Sequence, residues 1–137
     1  MNLEFEINGG DFVNAGRASS KVKSILKQLN IDSELIKKTV ISLYEAEVNV
    51  VAHADKGKIT VNISSSAVDI EVNDRGPGIE DIELAMKDGY STATEEVREM
   101  GFGAGMGLSN IRRNSDFFEI DSTPGRGTKA KIRIKLN

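Results

Sequence analysis

Residues 58–78 read KITVNISSSAVDIEVNDRGPG, and this stretch decides the fold. Ile59, Val61 and Ile63 alternate with Lys58, Thr60 and Asn62; beyond Ser64-Ser65-Ser66, Val68, Ile70 and Val72 alternate with Asp69, Glu71 and Asn73. A period of two on either side of a short polar turn predicts a β-hairpin with one buried face. Asp74 falls on the parity of Val68, Ile70 and Val72, so the strand carries a carboxylate to its buried side. Gly76-Pro77-Gly78 then interrupts the pattern.

Upstream of the hairpin, a helix starting at Asp32 or Ser33 runs to about Ala54, with Gly57 as a stop signal. Its second half is apolar nearly all round (Ile41, Leu43, Tyr44, Ala46, Val48, Val50, Val51, Ala52), which predicts packing on more than one side. Before it, Ala15, Ala18, Val22, Ile25, Leu26 and Leu29 form one apolar stripe ending at Asn30, with Asp11 as the expected cap. The chain opens on Leu3, Phe5 and Ile7 in strand alternation, closed by Gly9-Gly10. Downstream, residues 80–86 read as a short helix closed by Gly89, and residues 90–100 as a polar loop without period, a candidate lid. Residues 108–113 start a helix, Phe118 and Ile120 lie on a strand, and residues 123–127 form a turn. The last strand carries Ala130, Ile132, Ile134 and Leu136 on one face, with Thr128 on the same parity. This order of elements predicts an α+β fold, helices on one face of a mostly antiparallel sheet, in one domain over residues 1–137.

The chain has 137 residues, 39% hydrophobic and 28% charged, as expected of a globular chain with one core. It has no cysteine, which excludes a disulfide framework and thiolate metal sites. The first residues lack the basic region and apolar run of a signal peptide, and no stretch approaches the ~20 apolar residues that cross a bilayer. A cytoplasmic protein without membrane attachment is expected. A net charge of -3 at pH 7 offers no basic field for a nucleic-acid backbone.

Polar residues inside the apolar half of the long helix need a reason. Glu45 and Asn49 stand four apart, about one turn, and can address one bound object. Glu47 points to roughly the opposite side and reads as structural or surface-facing. Asp74, an acceptor facing inward beside glycines that admit close approach, suits an amino or imino donor of a planar ligand such as adenine. Gly103, Gly105 and Gly107, leading into Leu108-Ser109-Asn110-Ile111, have the form of a phosphate cradle at a helix N-terminus. The pattern is no dinucleotide fingerprint, because the βαβ context is missing, and no Walker A lysine is present.

Taken in order, these residues resemble the ATP-binding domain shared by gyrase, ninety-kilodalton heat-shock chaperones, histidine kinases and MutL proteins, the GHKL superfamily. Residues 45–54 resemble its N box, residues 74–79 (Asp-Arg-Gly-Pro-Gly-Ile) its first glycine box, residues 101–108 its second, and Gly127-Thr128 its closing Gly-Thr. Within the superfamily the chain is most similar to bacterial anti-sigma-factor serine/threonine kinases and, through Asp88-Gly89-Tyr90-Ser91-Thr92, to stressosome switch kinases. The resemblance implies a Bergerat-type two-layer sandwich that binds ATP and Mg²⁺. It implies Asn49 as the metal ligand, Glu45 as the catalytic residue that orients or deprotonates a serine or threonine hydroxyl, and Asp74 as acceptor from the adenine amino group. Gly76, Gly78, Ile79 and Thr128 would surround the base. Gly103, Gly105, Met106, Gly107 and Leu108 would hold the phosphates, with Thr92 in the closing loop. Arg75, Lys87, Arg98, Arg112 and Arg113 are all candidates to meet the terminal phosphate; Glu95, Glu96 and Glu99 leave Arg98 the sole basic residue between Thr92 and Gly101. His53 reads as a packing or hydrogen-bonding residue rather than a phosphoacceptor.

The implied partner is a small regulatory protein of anti-anti-sigma or scaffold type, with a sigma factor and a second copy of the chain as further candidates. Two alternatives stand beside the kinase: a nucleotide-gated anti-sigma or adaptor module with little phosphotransfer, and a stand-alone histidine-kinase catalytic domain.

Overall fold

A computed structural model describes residues 1–79, 82, 86 and 107–137. Its elements are β1 (Asn2–Asn8), a 3₁₀ turn (Phe12–Asn14), α1 (Arg17–Gln28), α2 (Ser33–His53), β2 (Lys56–Ile63), β3 (Ala67–Arg75), α3 (Gly107–Asn114), β4 (Phe117–Thr123) and β5 (Gly127–Lys135). The strands form a sheet in the order β1-β2-β3-β5-β4, every pairing antiparallel. The fold is therefore α+β with an open antiparallel sheet, as the alternation of residues 58–74 predicts.

The two faces of the sheet differ as the alternation requires. Ile59, Val61, Val68, Ile70, Val72, Ala130, Ile132 and Ile134 are buried and meet Val22 and Leu26 of α1, Leu43 and Val50 of α2, and Leu108 and Ile111 of α3. The opposite face is charged, and opposite signs sit across the strands: Lys58 with Glu4 at 3.3 Å, Lys129 with Glu71 at 3.3 Å, and Arg133 with Asp69 at 2.7 Å. Such exposed pairs contribute at most about 1 kcal/mol each.

α2 lies between α1 and α3 and also touches β1, β2, β3 and β5. That central place explains its nearly all-round apolar second half. Asp32 caps it by accepting from the Glu34 N–H at 3.1 Å, and Ala54 ends it. No helix of the described residues is long and apolar enough to cross a membrane.

Two local expectations change. Asp11 does not cap α1: the 3₁₀ turn intervenes, α1 starts after Gly16, and Asp11 instead accepts from the Asn14 side chain. The cap comes from another helix, as Glu47 of α2 accepts from the N–H groups of Gly16 (2.9 Å), Ala18 (3.1 Å) and Ser19 (3.2 Å). Ala15 thus precedes the helix, and Leu29 at its end is half exposed. Gly57 is no stop signal but part of β2, where a Cβ would come within 2.9 Å of Val50 Cγ1; glycine there lets the strand lie against α2. Of the short helix expected over residues 80–86, Ile82 and Met86 are described, with the Met86 N–H donating to the Ile82 carbonyl at 3.0 Å. The expected lid, Thr92 and residues 101–106 lie outside the described residues.

Candidate functional site

One register row of the sheet is polar where its neighbour is apolar. Pairing places Phe5, Ile59, Val72, Ala130 and Ile120 side by side across the five strands, an apolar row. Two residues along toward the Asp74 end of β3, the same faces carry Ile7, Gly57, Asp74, Thr128 and Ser122. The alternation thus delivers a carboxylate and two hydroxyls to the edge of the core. Asp74 is half-buried, and its Oδ1 accepts the Thr128 N–H at 3.0 Å. Burial raises the Asp74 carboxyl above its ordinary value, while the Thr128 N–H pulls it back.

The turn after β3 closes this end. Gly76 packs on the last turn of α2, where a Cβ would approach Ala54 Cα to 2.9 Å. Gly78 has φ +73°, and a Cβ there would press to 2.6 Å from the Thr123 carbonyl oxygen. Only glycine fits both the dihedral and the space. Ile79 packs its side chain on the core and gives its N–H to Ser122 Oγ at 2.7 Å.

Glu45 and Asn49 lie on one strip of α2 that continues to His53 beside the Gly76 turn. Both are half-buried. At the Glu45 end stands the start of α3: a Cβ on Gly107 would come within 3.1 Å of Glu45 Oε2. Glu45 is raised by burial and lowered by a hydrogen bond from the Asn110 side chain on α3. Among the described residues the Asn49 carboxamide has no hydrogen-bond partner. Burial lowers the His53 imidazole below its ordinary value, favouring the neutral ring. The strip therefore runs from the α3 N-terminus to the Asp74 end of the sheet, on the order of 12 Å at 1.5 Å rise per residue.

Leu108 is buried in the core, so it has only backbone to offer a ligand. Of the candidate cations, Arg75 and Arg112 are exposed, Arg113 donates to Ser109 Oγ (3.2 Å) and Asn110 Oδ1 (3.4 Å) of its own helix, and Lys87 and Arg98 lie outside the described residues.

Residues 37–137 match the model of the histidine kinase-, DNA gyrase B- and HSP90-like ATPase family. The chain belongs to this family. The match takes in almost all of α2 and everything after it, hence Glu45, Asn49, Asp74, both glycine patches and Thr128. Curated relatives carry narrower names. An anti-sigma F factor of Thermoanaerobacter sp. (strain X514) is 36% identical over 124 residues, 87% of this chain and 83% of the relative. The serine/threonine-protein kinase RsbT of Bacillus subtilis (strain 168) is 29% identical over 111 residues, 78% of this chain and 77% of that one. A solved structure, the mycobacterial sensor histidine kinase MprB, superposes with a TM-score of 0.56 at 13% identity, covering 98% of this chain and 97% of that chain, a likeness of fold.

Two residues of this ATPase-family chain, Ser122 and Asn110, stand out in the structure without having stood out in its sequence, and a third, Glu47, has its reading decided. Ser122 joins Ile79 to Thr128; its signal is that it shares the inward parity of Phe118 and Ile120. Asn110 holds Glu45, and follows the second glycine patch by one helical turn. Glu47 is 1% exposed, so of its two readings the structural one holds.

Proposed function

We propose that the chain binds ATP with Mg²⁺ in the cytoplasm and transfers the γ-phosphoryl group to a serine or threonine of a small regulatory protein in a bacterial sigma-factor or stress-signalling pathway. The observation that carries the nucleotide half is the Asp74–Thr128 pair: a half-buried carboxylate with one oxygen engaged by a backbone N–H at 3.0 Å and the other left to face a ligand. Family membership and the kinase and anti-sigma names of the relatives support the phosphotransfer half.

The residues fit the nucleotide and the metal. Asn49 offers a hard amide oxygen without a protein partner among the described residues, which suits Mg²⁺, an ion that takes few protein ligands and completes its shell with phosphate and water. Bound ATP with its metal supplies the transferable group and spreads its developing charge. Asp74 and Thr128 orient the base, with Gly76, Gly78 and Ile79 shaping the wall beside it. Gly103, Gly105, Met106, Gly107 and the backbone at Leu108 would hold phosphates, since the N-terminal end of a helix such as α3 favours an anion. Thr92 is the further residue proposed to meet the nucleotide. Glu45 accepts the proton of the attacking hydroxyl at a carboxylate oxygen; burial makes it a stronger base than an exposed carboxylate, and Asn110 fixes its orientation.

Calorimetry with ATP and a pull-down with and without ATP, followed by phosphosite mass spectrometry of what is retained, test both halves. Asp74→Asn is expected to lose ATP binding; unchanged affinity sinks the base assignment. Glu45→Ala is expected to keep ATP binding and lose transfer of radiolabelled phosphate to the retained partner. Acid-stable label marks phosphoserine or phosphothreonine, and acid-labile label marks phosphohistidine instead.

A further inference from the structure

Ser122 Oγ has three polar neighbours: the Ile79 N–H at 2.7 Å, the Gly127 carbonyl oxygen at 3.1 Å and Thr128 Oγ1 at 2.8 Å. A hydroxyl has one proton and two lone pairs. The Ile79 N–H can only donate, so it takes a lone pair. The Gly127 carbonyl can only accept, so it takes the proton. The second lone pair is then filled by the Thr128 hydroxyl proton, and this is the only assignment in which all three contacts are hydrogen bonds. Thr128 is left with lone pairs alone, beside an Asp74 carboxylate that is itself an acceptor.

We propose that Ser122 is a specificity-determining residue: by holding the Thr128 hydroxyl as an acceptor, it makes this end of the site select a purine with an amino group at ring position 6 and reject a 6-oxo purine. The inference rests on the nucleotide reading above. An exocyclic amino group presents protons to both acceptors. A 6-oxo ring turns an oxygen lone pair where the amino protons were and keeps only its N1–H for one of the two acceptors, so the other faces a lone pair, and a mismatched polar group in a partly dehydrated site is discriminated against strongly. Ser122 touches no ligand in this scheme and acts through Thr128. It also ties the Gly76–Ile79 turn to β4, but that tether alone predicts no base selectivity.

The test is calorimetry of the full chain with ADP and inosine diphosphate, which carry an amino and an oxo group at position 6; the N1–H that the oxo ring also carries is common to every variant tested, so the readout is the change in ADP preference on substitution. The wild-type chain is expected to prefer ADP. Ser122→Ala frees the Thr128 hydroxyl to rotate and donate, so the ADP preference falls by about five- to tenfold, the worth of one hydrogen bond, chiefly through tighter inosine diphosphate binding. Ser122→Thr keeps the hydroxyl and restores the wild-type ratio. Equal weakening of both nucleotides by Ser122→Ala, or an unchanged ratio, overturns the proposal and leaves Ser122 a tether. Should Ser122→Ala fail to fold by circular dichroism, Thr128→Val carries the test: it is expected to lose the same preference, and retention of the preference overturns the proposal. A wild-type chain that binds neither nucleotide overturns the nucleotide reading itself, a result distinct from a bound ADP whose preference ignores Ser122.

Discussion

Burial raises the carboxyls of Glu45 and Asp74 above their ordinary values, and one neighbour restrains each: the Asn110 amide for Glu45, the Thr128 N–H for Asp74. With Glu45 as the proposed base, which must be ionised to act, phosphotransfer is expected to rise with pH through the raised Glu45 value. Removing the Asn110 bond raises that value further. The Asn110→Ala chain is therefore expected to show its acid limb at higher pH than wild type, read from transfer rates across pH; an unmoved limb excludes either the bond or the base. For Asp74 the sign concerns stability. A carboxyl raised in the folded state loses stability as pH climbs from the unfolded value through the folded one. Asp74→Asn keeps an oxygen for the Thr128 N–H and no longer bears a charge to dehydrate. Thermal melts at neutral pH should show the variant at least as stable as wild type, although it has lost ATP affinity.

At the scale of elements, the parity of residues 58–74 was enough to place Asp74 inward, and the all-round apolarity of α2 was enough to place it in the middle of the helical layer. The start of α1 was not legible, because its capping group lies 28 to 31 residues away on another helix and leaves no local pattern. Asp11 has the right chemistry for a cap and the wrong position, since the 3₁₀ turn displaces the helix start. Gly57 resembled a helix stop because glycine after a helix commonly is one; here its missing side chain makes room for Val50. The Glu47 cap can be weighed directly. Glu47→Ala strands N–H groups of Gly16, Ala18 and Ser19, two of them buried, and is expected to cost about 2–4 kcal/mol in urea unfolding. Glu47→Gln retains acceptor oxygen and is expected to cost less than half of that. Equal losses for the two variants would show that charge rather than acceptance is what the first turn of α1 needs.

For the whole molecule, ligand binding and folding are linked, so the site can be read without knowing its partner. ATP at 100 times its dissociation constant stabilises the native chain by about 2.7 kcal/mol. For a chain of this size that is a rise in melting temperature on the order of 10 °C. With Asn49 as the metal ligand, chelating Mg²⁺ should shrink the rise, and Asn49→Ala should make melts with and without the chelator coincide. An ATP-dependent shift in wild type that ignores the chelator removes Asn49 from the metal. The sheet, the inward parity of Asp74 and Thr128 and the Glu45–Asn49 strip of α2 were readable from periodicity, because each follows from which way a side chain must point. The contacts of Ser122 and Asn110 were not, because they depend on how separate elements meet.

The bond set of Glu47 has one more consequence, for the order in which the chain acquires structure. α1 carries no cap of its own: Gly16 precedes it with a left-handed φ of 96° and no side chain. Its first amides find acceptors only after α2 has formed and docked. The two helices therefore mature together, and neither local propensity nor an isolated segment can complete the first turn of α1. Cooperativity between them is built into the helix that carries Glu45 and Asn49, so a change that loosens α1 is expected to reach the opposite side of that same helix, where these two residues stand.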